Sequence, residues 1–207
     1  ALVRQIQDEQ ITFSAGVPTI WLSVVQHLKD AGSDIPSLQR IAVGGSAAPR
    51  SLMDTLEDDY GVFVSHVWGM TEMTQGSAGR FTHRVTGLNR EEQRRRQAMA
   101  GRELYGVELR LVDANGEEVP RDGSSPGELL ARGPWVADAY FELADDTTHI
   151  GDGNGNWLRT GDVATMDTEG YITIVDRAKD VIKSGGQWIS SIELEHAAVG
   201  APGVPEP

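Results

Sequence analysis

Two spacings of apolar residues alternate along the first part of the chain. Intervals of three and four residues predict helices within 20–31 and 49–60. Short apolar runs predict strands at 11–13, 38–43 and 62–67. The order helix, strand, helix, strand is typical of an α/β layer built on a parallel sheet.

The pattern changes to a period of two after Gly101. Alternation over Val107–Val112 predicts a strand, and Asn115-Gly116 favours a hairpin turn. Gly127–Arg132 and Tyr171–Val175 are read as further strands. We therefore predict an α/β fold in which a parallel-sheet layer, residues 1–100, is followed by a small antiparallel or barrel-like subdomain, residues 101–176.

Two loops follow predicted parallel strands, at Gly44–Ala48 and Trp68–Glu72. Ligands of such sheets bind beyond the carboxyl ends of the strands, so both loops are candidate site segments. The stretch from Trp157 to Ser191 is a third candidate. It combines an acidic turn, a strand, a run of charged residues and a glycine pair, which suits a ligand contact better than a core.

Charge and composition exclude several classes of protein. The net charge is −13, from 18 basic and 31 acidic residues, and such an excess repels nucleic-acid phosphates. No apolar run approaches the ~18 residues that a membrane span requires. The first residues lack the basic and then apolar profile of a signal peptide, and there is no cysteine, so we expect a cytoplasmic protein.

Several short motifs do not support a site. Asp152 to Asn156 resembles the start of a calcium loop, but Trp157 and Val163 occupy the positions of its required Gly and Glu. No Gly-Lys dipeptide occurs, which excludes a Walker-type phosphate loop within these residues. The arginine-rich segment around 90–100 is interpreted as a solvated helix. Among the histidines, His66 is the one that we expect near a pocket, because it precedes the second loop.

Three segments together resemble the adenylate-forming, or AMP-binding, superfamily. They are VGGSAAPRSL, VWGMTEM and LRTGDVATMDTEGYITIVDRAKDVIKSGGQWISS. The chain is similar to an internal fragment of medium- and long-chain fatty acyl-CoA synthetases and of methylmercaptopropionyl-CoA ligases. The resemblance implies an ATP-dependent acid–thiol ligase. Such an enzyme converts a carboxylic (fatty) acid with ATP and Mg²⁺ to acyl-AMP and then forms the thioester of coenzyme A.

The first two segments carry roles that the resemblance implies. It implies that Ser46, Ala47 and Ala48 lie along the adenine and that the Trp68 ring stacks on the purine. It also implies that Gly69 and Met70 border the acyl channel, and that Thr71 and Glu72 hold phosphate and magnesium. The alternatives from the residues alone are a core tryptophan at a strand end for Trp68, and an ordinary helix cap for Thr71-Glu72.

The third segment carries the ribose site and a domain hinge in the same resemblance. Asp162 accepts the ribose hydroxyls, Arg177 contacts ribose or phosphate, and Lys179 is the pivot of a small C-terminal domain. The thioester-forming face is assigned to Lys183, Gly185, Gly186 and Trp188. Without the resemblance, Asp162 is a turn aspartate and Arg177 forms a surface ion pair with Asp176 or Asp180.

Two parts of the family pattern are missing from the chain: an upstream phosphate loop and a lysine late in the C-terminal domain. Residues 177–207 are therefore interpreted as the hinge and the start of a truncated domain, and the isolated chain is expected to be inactive. A ligase that loads a carrier protein, and a non-catalytic nucleotide-binding remnant, stay open as alternatives. The expected partners are the acid, ATP and CoA, and a homodimer is allowed.

Overall fold

The computed structural model describes residues 1–79, 82–142, 147–153 and 155–180, together with the backbone of 182–184 and 187–189. The chain divides into two compact units, Ala1–Leu104 and Tyr105–Pro207.

The first unit alternates helices and strands in its first half. In chain order its elements are α1 (Leu2–Asp8), β1 (Phe13–Gly16), α2 (Pro18–Ala31), β2 (Arg40–Val43), α3 (Arg50–Tyr60), β3 (Phe63–Trp68), β4 (Ser77–Ala78), α4 (His83–Thr86), α5 (Arg90–Ala98) and β5 (Arg102–Glu103).

Strands β1, β2 and β3 form the predicted parallel layer. Phe13 pairs with Arg40, and Arg40 pairs with Phe63, so the three strands start in step. β4 and β5 extend this sheet in antiparallel fashion. The parallel layer predicted from the sequence is confirmed.

Two strands of the first unit begin two residues later than predicted, and each difference has a local cause. The strand placed at 11–13 begins at Phe13, because the N–H of Ile11 still bonds to the carbonyl of Ile6 and Gln10 has a φ of 50°. The strand placed at 38–43 begins at Arg40, because the N–H of Leu38 closes a turn onto Ile35. In both cases, hydrophobicity alone assigns a residue to the strand, whereas its backbone N–H is hydrogen-bonded within the preceding turn.

A single hydrophobic core joins the helices to the parallel strands. α2 starts with Pro18 in its first turn and ends at Gly32, whose φ is 56°. The face of α2 that carries Trp21 and Leu28 packs into the same cluster as Leu56 of α3. Each such side chain contributes about 1.5–3 kcal/mol by leaving water.

Charged side chains connect helix α5 to α3. The Arg94 side chain is only 9% exposed and forms ion pairs with Asp54, Glu57 and Asp58. Burial alone lowers the pKa of Arg94, but the hydrogen bond that it donates to Asp54 and the charges of the three carboxylates raise the pKa overall. Gln97 donates to the carbonyl of Val64 on β3 at 2.7 Å. The interpretation of this segment as a fully solvated helix is therefore wrong on the face that Arg94 occupies.

The second unit is built on an antiparallel sheet. Its strands are β6 (Glu108–Val112), β7 (Gly127–Arg132), β8 (His149–Gly151), β9 (Asn156–Met166) and β10 (Ile172–Arg177), followed by the pair β11 (Ile182–Ser184) and β12 (Gln187–Ile189). The sheet order is β10-β9-β7-β6, with β8 beside β9. The predicted antiparallel subdomain is confirmed.

A stacked group closes one end of this sheet. The Arg132 guanidinium lies 4.4 Å from the centre of a Trp157 ring, and the Trp157 indole N–H donates to Asp152 at 2.7 Å. Arg132 also pairs with Glu108 at 2.7 Å. Asp152, the first residue of the rejected calcium-loop motif, thus contacts both the Arg132 guanidinium and the Trp157 indole.

In the described ranges, every helix is too short or too polar to cross a lipid bilayer.

Candidate functional site

The loop after β2 lies against the residue that follows β1 and against the end of β3. A Cβ on Gly45 would lie 3.2 Å from Cγ1 of Val17, the residue after β1. A Cβ on Gly44 would lie 2.6 Å from Cγ2 and 2.8 Å from the carbonyl oxygen of Val67, on β3. Gly44 is therefore needed for the loop after β2 to approach β3 this closely. Gly44 lies in a loop that was predicted as a candidate site segment, but no individual role was predicted for it.

The predicted adenine segment is accessible. Ser46 and Ala47 are exposed, whereas Ala48 is half-buried and packs against the core of the first unit. The short side chains leave the backbone of this loop open to a flat ligand. The adenine contact itself stays a prediction.

His66 is buried beneath the same loop. Its Nδ1 lies 3.1 Å from the carbonyl oxygen of Ala98, and it also bonds to the backbone of Met99 and Ser46. Burial lowers the pKa of His66, against the raising effect of these backbone bonds. The imidazole thus links the end of α5 to the predicted adenine loop.

The segment after β3 forms a tight turn that brings the chain back to Trp68. The N–H of Gly76 bonds to the carbonyl of Trp68 at 2.9 Å, and the N–H of Met73 bonds to that of Met70 at 3.1 Å. A Cβ on Gly69 would lie 2.0 Å from the carbonyl oxygen of Thr74, so this position requires glycine. No helix begins anywhere in 69–76, and the helix-cap alternative for Thr71-Glu72 is wrong.

Trp68 and Glu72 differ in their access to a ligand. Trp68 is 9% exposed and its ring packs closely against Gly76, as the core alternative expects. Its stacking on a purine stays a prediction. Thr71 is exposed, and Glu72 is half-buried.

Glu72 is the residue predicted to bind magnesium. No group of three His, Asp or Glu side chains within the described ranges could hold a metal ion. Mg²⁺ keeps several waters and commonly binds one or two carboxylates together with substrate phosphates, so a single half-buried carboxylate is a suitable ligand. When bound, the ion would offset charge on the nucleotide phosphates.

In the second unit, Asp162 lies in an irregularity of β9. Glu128 of β7 pairs with Val163, but Leu130 pairs with Arg159, so one residue of β7 faces three residues of β9. Gly161, in the middle of the three, has a φ of 70°. The segment 160–162 was predicted as a turn, whereas the structure places it inside a long strand as a bulge, a feature that re-aims side chains near functional sites.

Arg177 is paired with Asp162 across the sheet. The two residues are opposite each other on β10 and β9, and the guanidinium lies 2.9 Å from Oδ1 of Asp162. The side chain of Asp162 is 9% exposed and that of Arg177 is 51% exposed. The alternative that Arg177 pairs with Asp176 or Asp180 was wrong in its partner, because Asp176 accepts the backbone N–H of Arg177 instead.

The predicted hinge residue, Lys179, lies in the turn that follows β10. β10 extends to Arg177, two residues beyond the strand predicted from the sequence, so part of the predicted charged link is strand. Lys179 is exposed in a turn closed by the bond from the N–H of Asp180 to the carbonyl of Arg177, at 2.9 Å. The hinge role stays a prediction.

The remaining predicted residues have no described side chains. Lys183 and Trp188 oppose each other in the β11–β12 ladder, but their side chains are not among the described groups. Gly185 and Gly186 lie wholly outside the described part of the chain.

The predicted residues form two groups. Ser46 to Ala48 and Trp68 to Glu72 belong to the first unit, at the ends of the adjacent parallel strands β2 and β3. Asp162, Arg177 and Lys179 belong to the second unit, along adjacent strands β9 and β10 and the turn after them.

The family model for AMP-binding enzymes matches residues 1–141. The chain belongs to the AMP-binding enzyme family. It is 45% identical to the 3-methylmercaptopropionyl-CoA ligase of Ruegeria lacuscaerulensis, over 100% of this chain and 39% of the relative. It is 42% identical to the long-chain-fatty-acid–CoA ligase of Thermus thermophilus, over 100% of this chain and 38% of the relative. The resemblance seen in the sequence is confirmed.

A solved structure of similar fold contains the expected kind of ligand. It is the O-succinylbenzoate coenzyme A synthetase of Bacillus subtilis in complex with ATP and magnesium ion. The TM-score is 0.78 at 27% sequence identity, over 99% of this chain and 40% of that chain. The chain spans about two fifths of the length of the curated relatives it matches.

Proposed function

We propose that the chain is a segment of an AMP-forming acyl-CoA synthetase, an ATP-dependent acid–thiol ligase. The observation that carries the proposal is the match of the entire chain to named CoA ligases at up to 45% identity. The enzyme would activate a carboxylic acid of the fatty-acid type as acyl-AMP and pass the acyl group to coenzyme A.

The two groups of residues receive separate parts of this task. In the first unit, Ser46 to Ala48 and Trp68 receive the adenine, Gly69 and Met70 border the acyl channel, and Thr71 and Glu72 receive phosphate and Mg²⁺. Support comes from the position of these residues at the ends of adjacent parallel strands, where ligands of such sheets bind. A fixed cation at the phosphates would reduce the repulsion between an anionic acid and ATP.

In the second unit, Asp162 receives the ribose hydroxyls and Arg177 the ribose or phosphate. Support comes from the cross-strand position of the two side chains and from the half-exposed guanidinium. Lys179 is proposed as the pivot of a C-terminal domain, and Lys183, Gly185, Gly186 and Trp188 as contacts of the thioester-forming step.

The proposal also covers the domain organisation, the cellular location and the partners of the protein. Residues 1–100 and 101–176 are assigned to the large domain, and 177–207 to the hinge and the start of the small domain. The protein is proposed to act in the cytoplasm on a small acid with ATP and CoA, and the proposal allows a homodimer. Transfer to a carrier protein is the alternative within the same fold, and a non-catalytic nucleotide-binding remnant is the alternative of a different class.

Two assays on the isolated chain test the proposal. Calorimetry with AMP is expected to show binding, and pyrophosphate release with fatty acids, ATP and Mg²⁺ is expected to show little or no turnover. Robust turnover would contradict the assignment of the chain as an inactive segment. Absence of AMP binding would contradict a retained nucleotide site and would favour a remnant that has lost it.

A further inference from the structure

The hydroxyl of Thr160 is buried, and it both donates and accepts a hydrogen bond. Thr160 is 3% exposed, and its Oγ1 donates to the carbonyl of Leu129 at 2.7 Å. The same oxygen accepts the backbone N–H of Asp162 at 3.1 Å. A hydroxyl has one proton to donate and lone pairs to accept, so both bonds form at once.

These bonds lie at the irregularity that displays Asp162. Leu129 is the residue at which the β7–β9 register shifts. The hydroxyl therefore spans the gap in the ladder and fixes the bulged residues to the neighbouring strand. A bulge that is not pinned in this way can relax, because the extra residues have lost their ladder partners.

The same bulge is tied to the end of β10. The N–H of Ala178 bonds to the carbonyl of Gly161 at 2.8 Å, and the Arg177 guanidinium donates to the carbonyl of Thr160 at 3.1 Å. The segment that leads into Lys179 thus rests on the backbone that Thr160 pins to β7.

We infer that Thr160 is a positioning residue, which fixes the carboxylate of Asp162 for the two ribose hydroxyls and anchors the backbone that precedes Lys179. The inference rests on the proposed function, since it assigns Asp162 to the ribose. In this role Thr160 acts through Asp162 and not through a contact with the ligand.

Matched substitutions separate the hydroxyl from the space it fills. Thr160→Val keeps the shape but removes both bonds, whereas Thr160→Ser keeps the hydroxyl. Thr165→Val is the control, because Thr165 is a buried threonine on the same strand. Each variant is titrated with AMP and with dideoxy-AMP, which lacks both ribose hydroxyls.

The expected result is a change in discrimination, not only in affinity. The wild type and Thr160→Ser are expected to bind AMP on the order of tenfold or more tightly than dideoxy-AMP, the effect of charge-assisted hydrogen bonds. In Thr160→Val this ratio is expected to fall toward one, while Thr165→Val keeps it. A general destabilisation of the fold would weaken the binding of AMP and of dideoxy-AMP by the same factor. An unchanged ratio in Thr160→Val overturns the inference.

Amide hydrogen exchange tests the pinning without any ligand. In Thr160→Val, exchange at Asp162 and Ala178 is expected to be at least tenfold faster than in Thr160→Ser and Thr165→Val. Equal rates overturn the inference. If the wild type binds no AMP, the proposed retained site fails, and the exchange rates still decide whether Thr160 positions this backbone.

Discussion

The guanidinium of Arg177 lies 2.9 Å from the carboxylate of Asp162, across adjacent strands of the second unit. A carboxylate offers about four lone-pair positions, and the bond to Arg177 uses one of them. The ion pair thus orients Asp162 and partly offsets its charge without excluding the ribose role proposed for it.

Replacing Arg94 by Ala is expected to destabilise the first unit. The change removes a buried cation from three carboxylates that are themselves 21–45% exposed, so solvent reduces the loss. We expect a decrease of about 1–3 kcal/mol in the free energy of unfolding. Urea denaturation at neutral pH measures it through the midpoint at unchanged slope.

Arg4→Ala is the control for that measurement. Arg4 also forms an arginine–carboxylate pair, with Asp8, but its side chain is 86% exposed. Its loss is expected to shift stability by less than about 0.5 kcal/mol. Equal effects of the two substitutions would show that burial of Arg94 contributes nothing.

The stability of the first unit is expected to depend on pH through His66. Its pKa is lowered by burial from the ordinary 6.5, so the unfolded chain binds the proton more readily than the folded one. Stability is therefore full above about pH 6.5 and falls as the pH drops toward the folded pKa, by up to about 1.4 kcal/mol per pH unit.

Urea denaturation between pH 5 and 8 measures this slope. His66→Gln is expected to reduce it, whereas His27→Gln, at an exposed position of α2, is expected to leave it unchanged. A slope that persists in His66→Gln would assign the pH dependence to other groups.

Gly69→Ala is expected to disrupt the turn after β3. The added Cβ would meet the carbonyl oxygen of Thr74 at 2.0 Å and the Cα of Gln75 at 2.8 Å, so backbone must move. We expect a loss of about 1–3 kcal/mol, visible as a lower midpoint of thermal unfolding. Gly87→Ala is the control, since Gly87 has a φ of −84° and its nearest neighbour would be 3.5 Å away. Equal midpoints for the two variants would contradict the close approach.

Much of the fold followed from hydrophobic spacing, because the parallel layer and the antiparallel subdomain both rest on periodic burial. The helix over 18–31 and the strand at β7 are clear examples. The bulge at Gly161 was not predictable, because a register shift depends on the partner strand and not on local spacing. The burial of Arg94 was missed for a similar reason, since its carboxylate partners lie on α3, about 40 residues earlier in the chain.

The candidate site was predictable in its segments but not in its contacts. The loops after β2 and β3 follow from the rule that ligands bind at strand ends. The partner of Arg177 was predicted among its neighbours in sequence, whereas the strand pairing brings Asp162 opposite it. Cross-strand partners are set by register, which the sequence of one strand does not contain.

The central claim is that this chain carries a nucleotide site in which Asp162 receives the ribose, and calorimetric titration of AMP tests it most directly. The wild type is expected to bind. Asp162→Ala is expected to weaken binding by about 10–100-fold, through the loss of charge-assisted hydrogen bonds worth about 1.5–3 kcal/mol. Asp138→Ala, at an exposed position of the same unit, is expected to bind as the wild type does. Equal affinity of Asp162→Ala and the wild type, or no binding by the wild type, would contradict the claim.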